Sequence, residues 1–247
     1  MQYLMIHDLR KEYFELSLNQ YRLTFDDGLF SQYYYYPLYK NHTERLTYFI
    51  ATSFIQPGKA RSMYAGEYIP YYLKPKKYMY RSFIENNFDH CMAIEEIQEL
   101  SAKPNVQIGV HSHLHDVIPT RTHPRKRKPL SKWKLERFKN SPEISSLDLS
   151  IRSKIAFQGF NFQEGSLKRR SRTEWEDYIK YDTELSIKWV EDHLGFTPDM
   201  YCFPFNEHHE KLLSTLQTFG FKKFFAARPG KSKEIFGRVD IDSLIYD

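Results

Sequence analysis

Tyr21-Arg22-Leu23-Thr24-Phe25-Asp26-Asp27-Gly28 begins as a short apolar strand and stops at two carboxylates and a turn-forming glycine. Two vicinal carboxylates at a strand end can enter one site and divide two tasks, one binding a cation and the other accepting a proton from water. Asp-Asp-Gly by itself is equally a common turn, so its meaning depends on what surrounds it. Residues 3–6 read as a strand before it, 29–41 as a helix interrupted or begun anew near Pro37, and 47–55 as the next strand. Further along, Ile94, Ile97 and Leu100 have helical spacing, and Val106-Gln107-Ile108-Gly109-Val110 is a strand running straight into His111-Ser112-His113-Leu114-His115-Asp116. Residues 173–194 form an amphipathic helix, with Thr173 as cap, Glu176 three residues later and Gly195 as its stop. A strand at 200–203, a helix at 207–219, a strand at 223–226 and a terminal strand around 239–241 follow. This alternation predicts an α/β fold, a parallel sheet or barrel covered by helices, with its site at the strands' C-terminal ends.

At 247 residues and 41% hydrophobic content, the chain can bury one substantial core, so 1–247 is expected to be a single domain. Residues 56–90, rich in Tyr, Lys, Pro and Gly without a sustained period, and the basic, serine-rich 117–172 read as excursions from the repeating framework. Two cysteines, Cys91 and Cys202, cannot build a disulfide framework, and Met1-Gln2-Tyr3-Leu4-Met5-Ile6-His7-Asp8 meets a charge too early for a signal peptide. A cytoplasmic location is therefore expected. The high aromatic fraction, 17%, suits sugar rings, although packing is the simpler role for any one of these residues.

His111 and His115, four residues apart, can meet one ion if their segment is a helical turn or a compact loop, and His113 need not take part. One Asp and two His leave coordination positions open for water and substrate, as in a catalytic metal site.

These residues carry a specific resemblance. Thr24-Phe25-Asp26-Asp27-Gly28 resembles the first motif of the NodB-type polysaccharide deacetylases, and His111-Ser112-His113-Leu114-His115 their HxxxH second motif. Tyr201-Cys202-Phe203-Pro204-Phe205-Asn206 is similar to the third, an Arg-x-Pro-x-Gly pattern often relaxed to aromatic-Pro-aromatic-Gly. The resemblance implies a deformed (β/α) barrel in which Asp27, His111 and His115 hold a divalent ion, zinc first and Co2+, Ni2+ or Mn2+ as alternatives. It assigns Asp26 as base, the backbone N–H of Phe205 as an oxyanion contact, and Pro204, Phe205 and Asn206 to the substrate-binding wall. Three features depart from the pattern: Cys202 stands where the family has the arginine that orients the base, Asn206 stands at the motif glycine, and no late Leu-x-His supplies a general acid. Arg238-Val239-Asp240-Ile241 resembles an Arg-x-Asp-Ile segment of surface-polysaccharide members, so Arg238 or Asp240 is a candidate replacement. An Arg238–Asp240 pair pinning the last strand is the alternative. His7, also at a strand end, could approach the pocket from the first strand, although a buried structural histidine is the simpler reading.

The expected activity is hydrolysis of an N-acyl group, first of all acetyl, from an amino sugar in O-antigen, capsule or related surface-polysaccharide synthesis. Deformylation of a lipid-linked amino sugar would use the same ligands, and a non-catalytic, metal-containing carbohydrate-binding protein is a further reading. A basic interaction module unrelated to sugar is a third class, against which the metal triad argues. The basic residues of 121–139 read as a solvated loop or as a contact for the phosphates of a nucleotide- or lipid-linked sugar or for an anionic membrane surface. No nucleic-acid recognition motif accompanies them.

Overall fold

The computed structural model describes residues 2–41, 45–69, 74–121, 129–140, 149–163, 166–230 and 233–245. Among the described residues, eleven strands and seven α-helices are found in chain order: β1 (Gln2–Ile6), β2 (Tyr21–Asp26), α1 (Phe30–Tyr34), α2 (Tyr36–Tyr39), β3 (Leu46–Ile50), α3 (Pro75–Phe83), α4 (Ile94–Ser101), β4 (Val106–Val110), β5 (Val117–Arg121), α5 (Lys132–Arg137), β6 (Leu149–Ser153), β7 (Phe160–Gln163), β8 (Ser166–Arg169), α6 (Arg172–Leu194), β9 (Met200–Cys202), α7 (Glu210–Thr218), β10 (Lys223–Ala226) and β11 (Ile235–Asp240). Seven of these strands close into a parallel barrel in the order β1-β11-β10-β9-β4-β3-β2, while β5–β6 and β7–β8 form antiparallel pairs outside it.

A barrel strand lies between packed interior and covering helices, so both of its faces are buried. In β3 all five residues are. Phe49, Met200, Cys202 and Phe225 cluster with Tyr3 and Phe236 to fill the interior. The opposite faces of the first four barrel strands, through Leu4, Phe25, Tyr48, Ile50 and Ile108, join Tyr33, Tyr35, Tyr36 and Tyr39 in the outer core. The tyrosine run is thus packing. Gly109 makes room for this interior, since a Cβ there would meet the Phe49 ring at 2.7 Å. Each fully buried large apolar side chain in these layers contributes roughly 1.5–3 kcal/mol.

The expected framework is present, with local corrections. The strand expected at 47–55 ends at Ile50, and Thr52–Phe54 turns into a 3-10 segment whose first N–H groups bind the carbonyls of Ser112 and His113. Helix α6 is capped by Ser171 and Glu174 rather than Thr173 and Glu176; Glu174 N donates to Ser171 Oγ and Ser171 N to the Glu174 carboxylate. Glu176 instead pairs with Arg172 and Lys211. The helix expected from residue 207 begins at Glu210, because Glu207 accepts from Arg152 Nε and Ser153 N. The last strand begins at Ile235, earlier than expected. The 56–90 excursion contains α3, and Arg61 ties it to α4 through a forked contact with buried Glu96. Among the described residues, no helix is long and apolar enough to cross a membrane.

Candidate active site

The turns after β2 and β4, two strands separated only by β3, converge at the barrel's C-terminal rim. Asp27 takes φ +73°, a conformation that Asp tolerates better than most residues, and the turn continues through Gly28 at φ +77°. A side chain on Gly28 would collide with Ile55 at 2.7 Å. Beyond β4, Ser112 at φ +63° and His115 at φ +49° curl the histidine segment into a compact loop, and His115 N donates to Ser112 Oγ. As a result, Asp27 Oδ1 lies 3.4 Å from both His111 Nε2 and His115 Nε2. All three side chains are buried. His113 turns away, its Nδ1 2.8 Å from the Thr52 hydroxyl.

This cluster fits a divalent ion. Its ligand atoms lie within 4.8 Å of one another, and Asp27 Oδ1 is a buried carboxylate oxygen without a hydrogen-bond donor. His111 Nδ1 is 2.9 Å from the Cys202 carbonyl, which accepts its proton and leaves the Nε2 lone pair facing Asp27. Burial holds the His111 imidazole down to about 4 and that of His115 to about 3, so both are neutral, the ligating form, near pH 7. A second grouping, Asp26, His111 and Cys202, is also close enough. It is a poorer fit, because Arg238 already engages Asp26 and burial pushes the Cys202 thiol well above its ordinary value.

Asp26 closes β2 and meets Arg238 of β11 in a fork, Nη1 to Oδ1 at 2.6 Å and Nη2 to Oδ2 at 2.8 Å. Arg238 also donates to Thr24 Oγ1 and to Asn206 Oδ1, and its side chain is wholly buried. Burial acts to raise the Asp26 carboxyl, but Arg238, with a further contribution from His111, overrides it and holds the group well below the usual carboxylate range. Cys202 Sγ lies 3.7 Å from each Asp26 oxygen, at the place where the third motif would deliver an arginine. Asn206 explains the other departure. It has φ +56°, which Asn tolerates, and its amide oxygen holds the same guanidinium. Asp240 does not reach the site. It is exposed and caps the final turn by accepting from Asp242 N, so neither its proposed catalytic role nor an Arg238–Asp240 pair describes it.

A cavity of about 230 Å³ opens over these groups, lined among others by His7, Tyr78, Met79, Trp133, Phe205 and Asn206. His7 is half-buried and faces this space, which corrects the expected buried structural histidine. Phe205, at φ +58°, packs against the His115 ring at 4.5 Å, whereas Pro204 is buried and not part of the lining. The two excursions supply the outer wall. Trp133 of α5 stacks between Phe83 of α3 and Phe205, and Lys134 Nζ donates to the Ile151 carbonyl above Phe205. Exposed Lys76 stands at the rim. A larger cavity of about 440 Å³, between Phe157, Phe160 and Trp175, contains no carboxylate. The basic run 122–128 lies outside the described residues.

Two polar groups escaped the sequence reading. The Tyr78 hydroxyl donates to Asp27 Oδ2; burial and the adjacent carboxylate push it well above its ordinary value, so it remains a donor. Asp182 of α6 accepts the backbone N–H groups of His113 and Leu114, both at 2.9 Å, and clamps the histidine loop from below. Burial pushes its carboxyl up to about 6, against the pull of those two N–H groups. Its position on the buried stripe Ile179, Asp182, Ser186, Val190 was the available signal. Asp182→Ala is expected to cost on the order of 2–3 kcal/mol, because it strands two buried donors, with Asp182→Asn losing less. Urea unfolding checks this, and an unchanged midpoint would mean that the loop holds itself.

A closed parallel barrel flanked by helices is the fold of the polysaccharide deacetylases, and this chain has that fold. It superposes on the deacetylase domain of BpsB from Bordetella bronchiseptica with a TM-score of 0.59 and 19% identity, covering 89% of this chain and 70% of that one. For a de-N-acetylase from Aggregatibacter actinomycetemcomitans the TM-score is 0.60 at 14% identity, over 99% and 98% of the two chains. IcaB from Ammonifex degensii gives 0.52 at 17% identity, over 96% and 90%. No protein-family model and no curated protein sequence matches the chain.

Proposed function

We propose that the protein is a metal-dependent sugar N-deacetylase that acts on a nucleotide- or lipid-linked amino sugar in surface-polysaccharide synthesis. The observation that carries this reading is the buried Asp26–Arg238 fork beside an Asp/His/His cluster, an ionised proton acceptor next to a candidate cation site. Asp27, His111 and His115 would hold the ion, and their mixed oxygen and imidazole donors suit zinc, with Co2+, Ni2+ or Mn2+ as substitutes. Such an ion supplies Lewis-acid polarisation of the acyl carbonyl and acidifies water.

The chain's own groups do the rest. Asp26, kept ionised and oriented by Arg238, accepts a proton from the attacking water and returns it to the sugar nitrogen as the C–N bond breaks. The Phe205 N–H is assigned to the developing oxyanion, and Phe205 with Asn206 forms the wall beside it. Met79, Trp133 and Phe205 offer apolar surface for a sugar face and an acyl methyl, and Lys76 favours a phosphate at the rim. A non-catalytic sugar binder has no need of an oriented, ionised Asp26.

Mass spectrometry of N-acetylated nucleotide sugars and lipid-linked sugars incubated with the zinc-loaded protein tests the proposal, with N-formylated counterparts run in parallel to separate deformylation. Loss of one acyl group is expected. Intact substrate throughout, with metal bound, would sink the enzymatic reading. Asp26→Asn is expected to retain metal while turnover drops about a hundredfold or more, because the amide cannot accept the proton. Wild-type turnover by that variant would assign the base elsewhere.

A further inference from the structure

Asp27 has two oxygens in different surroundings. Oδ1 faces His111 Nε2 and His115 Nε2 and has no hydrogen-bond donor, whereas Oδ2 accepts from the Tyr78 hydroxyl. Tyr78 is fully buried and belongs to α3, which also brings Pro75, Lys76 and Met79 to the cavity wall. A carboxylate can give an ion one oxygen or both, and giving both fills a coordination position that water or substrate needs. Partners that hold a ligand from outside commonly govern this choice.

We infer that Tyr78 is a positioning residue that locks Asp27 into single-oxygen coordination and couples helix α3, with its part of the cavity wall, to the occupancy of the metal site. The inference rests on the proposed metal role of Asp27, His111 and His115. Without the Tyr78 hydroxyl, Oδ2 is free to swing toward the ion. With it, Asp27 is tied to the buried face of α3, so a bound ion that fixes Asp27 would also fix that helix.

The test compares wild type with Tyr78→Phe, which keeps the ring and removes only the donor. Zn2+ affinity is measured by competition with a chelating dye, and Co2+ coordination by visible absorption. The variant is expected to bind Zn2+ 10- to 100-fold more weakly, with its Co2+ bands shifted and weakened as coordination number rises. Equal affinity and an identical Co2+ spectrum would overturn the role of Tyr78 and leave the metal site standing. Failure of the wild type to bind either ion would overturn the metal reading itself. Amide hydrogen exchange on the wild type needs no variant: Zn2+ is expected to slow exchange in α3, and protection there that ignores Zn2+ would refute the coupling.

Discussion

Alanine at His111 or His115 is expected to leave the protein without a bound divalent ion after dialysis and without measurable acyl release. Each histidine offers one nitrogen at 3.4 Å from Asp27 Oδ1, so either change leaves an oxygen and one nitrogen, too few donors for tight binding. Asp27→Ala should do the same. Metal analysis with the mass-spectrometric assay checks the expectation, and full occupancy in both histidine variants would show that the ion sits elsewhere. The metal-free protein should carry a second signature. Both imidazoles ordinarily titrate near 6.5, and the fold depresses them to about 4 and about 3. The unfolded chain therefore takes up protons first as pH falls. Their neutral forms contribute stability that is present above about 6.5 and lost progressively toward pH 4, and alanine at either position should flatten that slope in urea titrations.

The second large effect is expected at Arg238. Arg238→Met retains much of the side chain's apolar length but leaves Asp26 as a buried carboxylate without its partner, a change that costs about 3–5 kcal/mol. Activity should fall on the order of a hundredfold, since a base that is no longer oriented loses its line to the attacking water. Arg238→Lys keeps the charge and loses the fork, so it should lie between the two. Combining Arg238→Met with Asp26→Asn should destabilise less than the sum of the single changes, because each single change strands a buried charge and the double change strands none. Additive effects would mean that the fork contributes no coupling.

Asp26, Asp27, His111 and His115 were legible because each follows an apolar run, and two local motifs contain all four. Arg238 was legible only as a resemblance, yet closure makes its contact feasible: β11 pairs with β1 and β1 with β2, Arg238 lies level with Tyr3 and Arg22, and its long side chain reaches past Thr24 to Asp26. Tyr78 and Trp133 were not legible as site residues, since they arrive by packing across large gaps in the chain from stretches that read only as excursions, whereas Asp182 stood out only as a polar residue on the buried stripe of α6. Pro75 at the start of α3 was a helix signal that went unread. The cap of α6 was misplaced because Ser171 with Glu174 and Thr173 with Glu176 offer the same pattern two residues apart.

The Asp26–Arg238 fork spans 212 positions of the chain. The residues assigned to the metal all precede position 116, whereas the guanidinium belongs to the last barrel strand in chain order. Loop closure over that distance is entropically costly and slow. The three candidate ligands are therefore synthesised well before Asp26 can acquire its partner, and the fork forms only with barrel closure. Truncation before β11 should leave β1 and β10 unpaired and Asp26 without its guanidinium at once, so that closing the barrel and arming the carboxylate are one step.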